Sequence, residues 1–197
     1  MRVAYQHDYG DQNFELGAFL RSADLFPGRD KSAGKTDDYT DLGFDGSYQY
    51  TGSAENIFTF NVRYVHETQN LGASQALGGA LERNLGLDEL NLNASYYYEN
   101  TIGLSRGTFN IWGKRDPLFY ADNRTFSPNS SGFLFQVDAT PFGGPSPLLG
   151  ARVNLRVGLQ YVIFSQFDGA STNYDGLATT RPTITRCGCS SGRHFRR

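Results

Sequence analysis

The chain has 197 residues, room for one ordinary domain or one closed sheet, with 39% hydrophobic and 19% charged residues, a composition that excludes a disordered chain and a highly charged coiled coil. Tyr (12) and Phe (15) dominate the aromatics over a single Trp, and with 23 Gly they point to pleated sheet rather than packed helices. No apolar run approaches the roughly 18 residues of a membrane helix. The mean hydropathy of −0.47 leaves a membrane β-barrel open, because alternate residues face water and cancel the average.

Period-two alternation predicts eight strands. The first is Arg2–His7, with Val3 and Tyr5 on one face. The second is Phe14–Arg21, where Phe14, Leu16, Ala18 and Leu20 share a face. The third, Asp41–Tyr50, sets Leu42, Phe44, Gly46, Tyr48 and Tyr50 opposite Asp41, Gly43, Asp45, Ser47 and Gln49. The fourth, Ile57–His66, alternates Phe58, Phe60, Val62 and Tyr64 with Thr59, Asn61 and Arg63. The fifth, Leu90–Glu99, alternates Leu90, Leu92, Ala94, Tyr96 and Tyr98 with Asn91, Asn93, Ser95 and Glu99. The sixth, Ile102–Trp112, changes phase, and a glycine-assisted bulge at Arg106–Gly107 reconciles its halves. The seventh, Gly132–Thr140, carries Phe133, Phe135, Val137 and Ala139 opposite Gln136, Asp138 and Thr140. The eighth, Val153–Phe164, alternates Val153 through Ile163 with Asn154, Arg156, Gly158 and Gln160.

The connections alternate in character. Asp8–Asn13, Thr51–Asn56 and Glu99–Thr101 are short, and Pro141–Ala151 is rich in Gly and Pro; Ser22–Thr40, Glu67–Glu89, Gly113–Ser131 and Ser165–Thr180 are long and polar. Short turns at one end and long loops at the other are the layout of a transmembrane up-and-down barrel, here a partial one of about eight strands with its end strands unpaired. Tyr48, Tyr50, Tyr64, Tyr96, Tyr98 and Tyr161 fall toward strand ends, as in an aromatic girdle. Apolar rows then face lipid, and Asp45, Arg63, Glu99, Asp138 and Arg156 face a hydrated lumen, where they set selectivity. The alternative is a soluble all-β binding module holding a ligand on its aromatic rows.

The segments FLRSADLFPGRDKSAGKTDDYTDLGFDGSYQY, FNVRYVHETQNLGASQALGGA and VGLQYVIFSQFDGASTNYDG resemble the C-terminal barrel of proteobacterial outer-membrane proteins labelled cytochrome c, in which a single CxxCH motif precedes the barrel. The resemblance covers residues 1–177. It implies a bacterial outer-membrane location, membrane lipid as surroundings, c-type cytochromes as electron-transfer partners, and haem c in the intact family member. It carries no haem onto this chain, which holds Cys187–Gly188–Cys189 but no CxxCH.

Residues 178–197 differ from the rest. Five arginines occur there with no acid, and both cysteines of the chain, while residues 1–177 carry no cysteine. Family members continue after NYDG with a segment similar to NASDNNTLF and an apolar last strand. Back-translation of ATTRPTITRCGCSSGRHFRR in a shifted frame permits His-Asn-Ala-Ser-Asp-Asn-Asn-Thr-Leu followed by an apolar strand ending in Phe. The tail is therefore expected to be an out-of-frame, unstructured segment; as a genuine tail it would instead bind nucleic acid or anionic lipid. The chain opens on MRVAYQHDYG without the apolar stretch of a signal peptide, as expected of a piece whose beginning lies elsewhere.

No pattern specifies an enzyme or a metal centre. His66 beside Glu67 reads as a rim histidine, and Ser105 with His66 lacks an orienting partner for hydrolysis. The acids of the Asp30–Asp41 loop lack EF-hand spacing, and Asp168, Asn173 and Asp175 read as turn residues.

Overall fold

The computed structural model describes residues 1–53, 55–140, 154–173 and 184–194. Nine strands form one sheet in sequence order, every neighbour antiparallel: β1 (Arg2–Tyr9), β2 (Gln12–Leu25), β3 (Asp37–Ser53), β4 (Asn56–Asn70), β5 (Asn84–Tyr98), β6 (Ile102–Gly113), β7 (Ser130–Ala139), β8 (Asn154–Gln166) and β9 (Ile184–His194). Helical turns at Pro27–Arg29 and Lys31–Ala33, and a short helix α1 (Gly72–Ala76), decorate the connections. Among the described residues β1 and β9 do not pair, so the sheet is an open meander.

Three expectations are corrected. Residues 178–197 are not wholly unstructured: Ile184–His194 pairs along Asn154–Phe164 as a ninth strand, so the open edges are β1 and β9 rather than β1 and β8. The physical reason is that an edge presents a full row of backbone donors and acceptors, which templates pairing with little regard to side chains. The bulge at Arg106–Gly107 does not exist. β6 keeps unbroken register on both sides, and its phase change is real: Ile102, Leu104 and Arg106 face one way, Phe109 and Ile111 the other. The register shifts lie instead between Tyr50 and Ser53 and between Ser131 and Gly132. Third, β2, β3, β4 and β5 run several residues further toward the long loops than their apolar rows, because ladder hydrogen bonds continue where the outward side chains have become Ser22, Thr40 and Thr68.

Register sorts the side chains onto two faces. One row reads Leu16, Gly46, Val62, Leu92, Thr108, Phe133 and Ile163; the adjacent opposite row reads Gly17, Asp45, Arg63, Asn91, Phe109, Gly132 and Phe164. Among the described residues no second layer covers the apolar face: Leu16 is 67% exposed, Phe44 54%, Leu104 52%, Val137 51% and Leu159 52%. The buried apolar cluster is Leu71, Ala80 and Leu85, packed with Tyr39, Phe119 and Tyr120, at the long-loop end.

The apolar band crosses the hydrogen-bond rows obliquely. On β2 it runs Phe14–Leu20, centred on Gly17; on β8 it runs Leu155–Ile163, centred on Leu159. Yet Gly17 connects in register, strand by strand, to Phe164, five residues from Leu159. Five residues at about 3.4 Å, against six strand spacings of about 4.8 Å, give a slope of about 30°.

Candidate functional site: the polar face and its cap

On the polar face, large side chains lie across glycines of neighbouring strands. A Cβ built on Gly43 would meet the Phe19 ring at 2.1 Å, and one on Gly103 the Tyr97 ring at 2.4 Å. A Cβ on Gly17 would meet the Asp45 carboxylate at 2.7 Å and the Arg2 guanidinium at 2.8 Å. Glycine at these positions is thus required by close approach rather than by backbone angle.

Three ion-pair groups result. Arg2 on β1 reaches over Gly17 to Asp45 on β3, donating from Nη2 at 2.5 Å and from Nε at 3.2 Å, and also donates to Glu15 at 2.5 Å. Arg63 donates to Glu89 at 2.9 Å, and Asn91 donates to the same carboxylate. Arg2, Glu15, Asp45, Arg63 and Asn91 line a cavity of about 370 Å³ with Asn61 and Asn93. Further along, Arg156 on β8 donates to Asp138 on β7 at 2.8 Å and to the Tyr97 hydroxyl on β5 at 2.6 Å, its guanidinium 5.5 Å from the Tyr97 ring centre. Asp138 is 1% exposed and also accepts from Gln136 at 2.8 Å, which in turn accepts from Gln160 at 2.8 Å.

Asp45, Arg63, Asp138 and Arg156 thus lie on the polar face, distributed over the three ion-pair groups. Glu99 does not: it occupies the β5–β6 turn with φ 50°. The alternation that reads through Tyr98 ends there, because Tyr98 accepts from Thr101 and the chain reverses. Sequence reasoning passed over Arg2, Glu15 and Glu89, whose signal was alternation with Val3, Leu16 and Leu90. On β1 to β8 the polar face presents Arg2, Arg21, Arg63 and Arg156 against Asp8, Glu15, Asp41, Asp45, Glu67 and Glu89, with Asp37 and Asp138 buried, so carboxylates are in excess.

At the long-loop end two buried carboxylates organise the connections into a cap. Asp37, 1% exposed, accepts from the Ala73 and Ser74 amides at 2.8 and 2.9 Å and from the Ser74 hydroxyl at 2.5 Å, fixing α1 to the start of β3. Asp116, fully buried, accepts from the amides of Leu81, Glu82, Leu118 and Phe119 at 2.7 to 3.1 Å, tying the β4–β5 loop to the β6–β7 loop. Burial pushes the Asp116 pKa up, but the four backbone donors outweigh it and hold the carboxyl below its ordinary value. The cap packs on Tyr39 and Leu85, which share the polar face with Gln69. Only the sequence Asp116–Pro117–Leu118, an acceptor ahead of a proline that opens a turn, carries a signal of this role.

The remaining candidates are dispersed. His66 lies on the apolar face's long-loop rim, its Nδ1 2.8 Å from Asp88, which also accepts from Tyr64 at 2.6 Å, with Trp112 beside Tyr64. Ser105 is on the opposite face, hydroxyl to hydroxyl with Ser95 at 2.8 Å. Asp30 caps Lys31–Ala33 through the Ser32 amide at 2.8 Å, so the acids of Asp30–Asp41 do not converge. Asp168 stands at φ 47° in a turn with Gly169, while Asp175 lies outside the described residues. Among the described residues no three His, Cys, Asp or Glu side chains cluster as a metal site. The chain matches no family model, no curated protein and no solved structure.

Proposed function

We propose that this chain is part of the wall of a bacterial outer-membrane β-barrel, with lipid against its apolar face and a hydrated, porin-like passage along its polar face. The observation that carries the reading is the oblique apolar band. A planar hydrocarbon slab meets tilted barrel strands at a slope of about 35–45°, close to the slope of about 30° obtained from strand spacing and rise. From Tyr98 to the Asp88 rim is ten residues, about 34 Å of strand, or roughly 29 Å of depth at that slope, comparable to the apolar height of such walls at about 25 Å plus its girdles. A water-facing sheet has no reason to shift its apolar rows strand by strand.

The polar face then acts by electrostatics rather than by chemistry. Carboxylates outnumber arginines along it, which favours cations over anions in transit. Arg2, Glu15, Asp45 and Arg63 stand where a solute entering the cavity would meet them. A sheath around a c-type cytochrome is the second reading, and the family resemblance favours it. Residues 1–197 hold no CxxCH, so covalent haem is not carried on this stretch of the wall itself. Protein folded into vesicles should show heat-modifiable gel migration and cation-preferring conductance in planar bilayers. A detergent-free, water-soluble monomer would reverse the assignment in favour of the binding module.

A further inference from the structure

On β6 the apolar face is interrupted. Arg106 pairs in register with Ala94 and with Phe135. Ala94 is the midpoint of the apolar band on β5 (Leu90–Tyr98), and Gln136, beside Phe135, is the midpoint on β7 (Phe133–Ala139). Arg106 therefore stands at the centre of the band. It is exposed, and among the described residues it makes no ion pair or hydrogen bond; its guanidinium rests 5.6 Å from the Phe135 ring centre. From Arg106 a hollow of about 320 Å³ runs toward the short-turn end, walled by Phe58, Tyr96, Leu104, Phe135 and Val137, with the small Ala94 at its floor. An arginine in mid-membrane is costly and marks a function when it persists.

We propose that this hollow binds an anionic amphiphile of fatty-acid type, its chain against the apolar walls and its carboxylate accepting from Arg106. The proposal rests on the membrane reading above. A largely apolar hollow of this size with one convergent charged group is the usual make-up of a small-molecule site, and an unpaired guanidinium selects a carboxylate or phosphate. A second copy docking here by two-fold symmetry would bring Arg106 against Arg106, and the band offers no carboxylate on its own face at that depth, since Asp88 lies at the rim.

The test uses the full chain in phosphatidylcholine vesicles with three spin-labelled probes: phosphatidylcholine, a fatty acid above its pKa, and the methyl ester of that acid. The motionally restricted phosphatidylcholine fraction reports whether the wall sits in lipid at all, and so tests the membrane reading separately. The excess restriction of the acid over its ester reports the site. We expect about a tenfold preference for the acid, the contribution of one hydrogen bond to a charged group, lost in Arg106→Gln and in Ala94→Phe, which fills the hollow. Both variants should keep the wild-type restricted phosphatidylcholine fraction. Equal restriction of acid and ester, or a preference that survives Arg106→Gln, overturns the proposal. So does disulfide capture of a second copy through Leu104→Cys in the absence of any acid preference.

Discussion

The sharpest test of the tilted wall is an arginine scan along one hydrogen-bonded row: Leu16, Val62, Leu92, Phe133 and Ile163, which are in register. Each lies at a different distance from the centre of the band on its own strand: one residue for Leu16 and Val62, two for Leu92, three for Phe133 and four for Ile163. One residue corresponds to about 2.9 Å of depth at about 3.4 Å rise and a slope of about 30°. Leu16 and Val62 are then about 3 Å from the midplane and Ile163 about 12 Å, near the interface. Arginine costs about 2–4 kcal/mol at the midplane and about 0–1 near the interface. The scan should therefore fall from about 2–4 at Leu16 and Val62 to about 1 or less at Ile163, although all five replace an apolar side chain on the same row. Urea titration of sheet content in lipid vesicles measures each value. Equal costs across the row would refute the oblique slab, and negligible costs everywhere would refute lipid contact itself.

The other predictions concern the polar face and the cap. Asp116→Ala removes the shared acceptor of four backbone amides and should loosen the cap by about 2–4 kcal/mol, seen as faster hydrogen exchange at Leu81 and Phe119 with β3 and β4 amides unchanged. Because the folded Asp116 has a lowered pKa, its contribution is present above the unfolded value of about 3.9 and is lost as pH falls below it; cap amides should be protected at neutral pH and exchange rapidly only in acid, and loosening between pH 6 and 8 would contradict the assignment. Joint Glu15→Gln and Asp45→Asn should reduce cation preference in bilayer reversal potentials, whereas Glu99→Gln, in the turn, should leave it unchanged. Gly103→Val drives a side chain into the Tyr97 ring and should break the Arg156–Tyr97 contact, read as a shifted Tyr97 ring signal in the NMR spectrum.

What sequence could reveal here follows from what strands encode locally. Alternation is a property of single strands, so Phe58–Phe60–Val62–Tyr64 against Thr59–Asn61–Arg63 was readable, as were the eight strand cores. The ends of β2 to β5 were not, because beyond the apolar rows nothing but backbone pairing holds Thr40 against Thr68. The cap was hidden for a different reason: Asp37 and Asp116 look like solvated loop acids until the amides of Ala73, Ser74, Leu81 and Glu82 are brought to them from distant connections. β9 was misjudged because composition describes side chains, whereas the open edge of β8 recruits backbone.

The phase change on β6 carries the deeper lesson. Within the strand alone, Leu104 and Phe109 out of phase look like a local defect, and a bulge is the economical repair. Register removes the defect and exposes a conflict: Arg106, Thr108 and Asn110 share the apolar face, while Phe109 packs on the polar face against Phe164 at 5.2 Å, where Gly132 leaves room for its ring. Phe164 in turn meets Phe167 at 5.3 Å, so the aromatic material missing from one face of β6 has been moved to the other. An inversion of this kind, confined to the long-loop half of one strand, gives the polar face an apolar patch beside its charged groups and sets Arg106 among apolar side chains on the other face. Sequence periodicity registers this only as noise, because neither face of β6 obeys one rule along its length. The pairing of Arg106 with Ala94 and Phe135 is what turns that noise into a defined place at the middle of the apolar band.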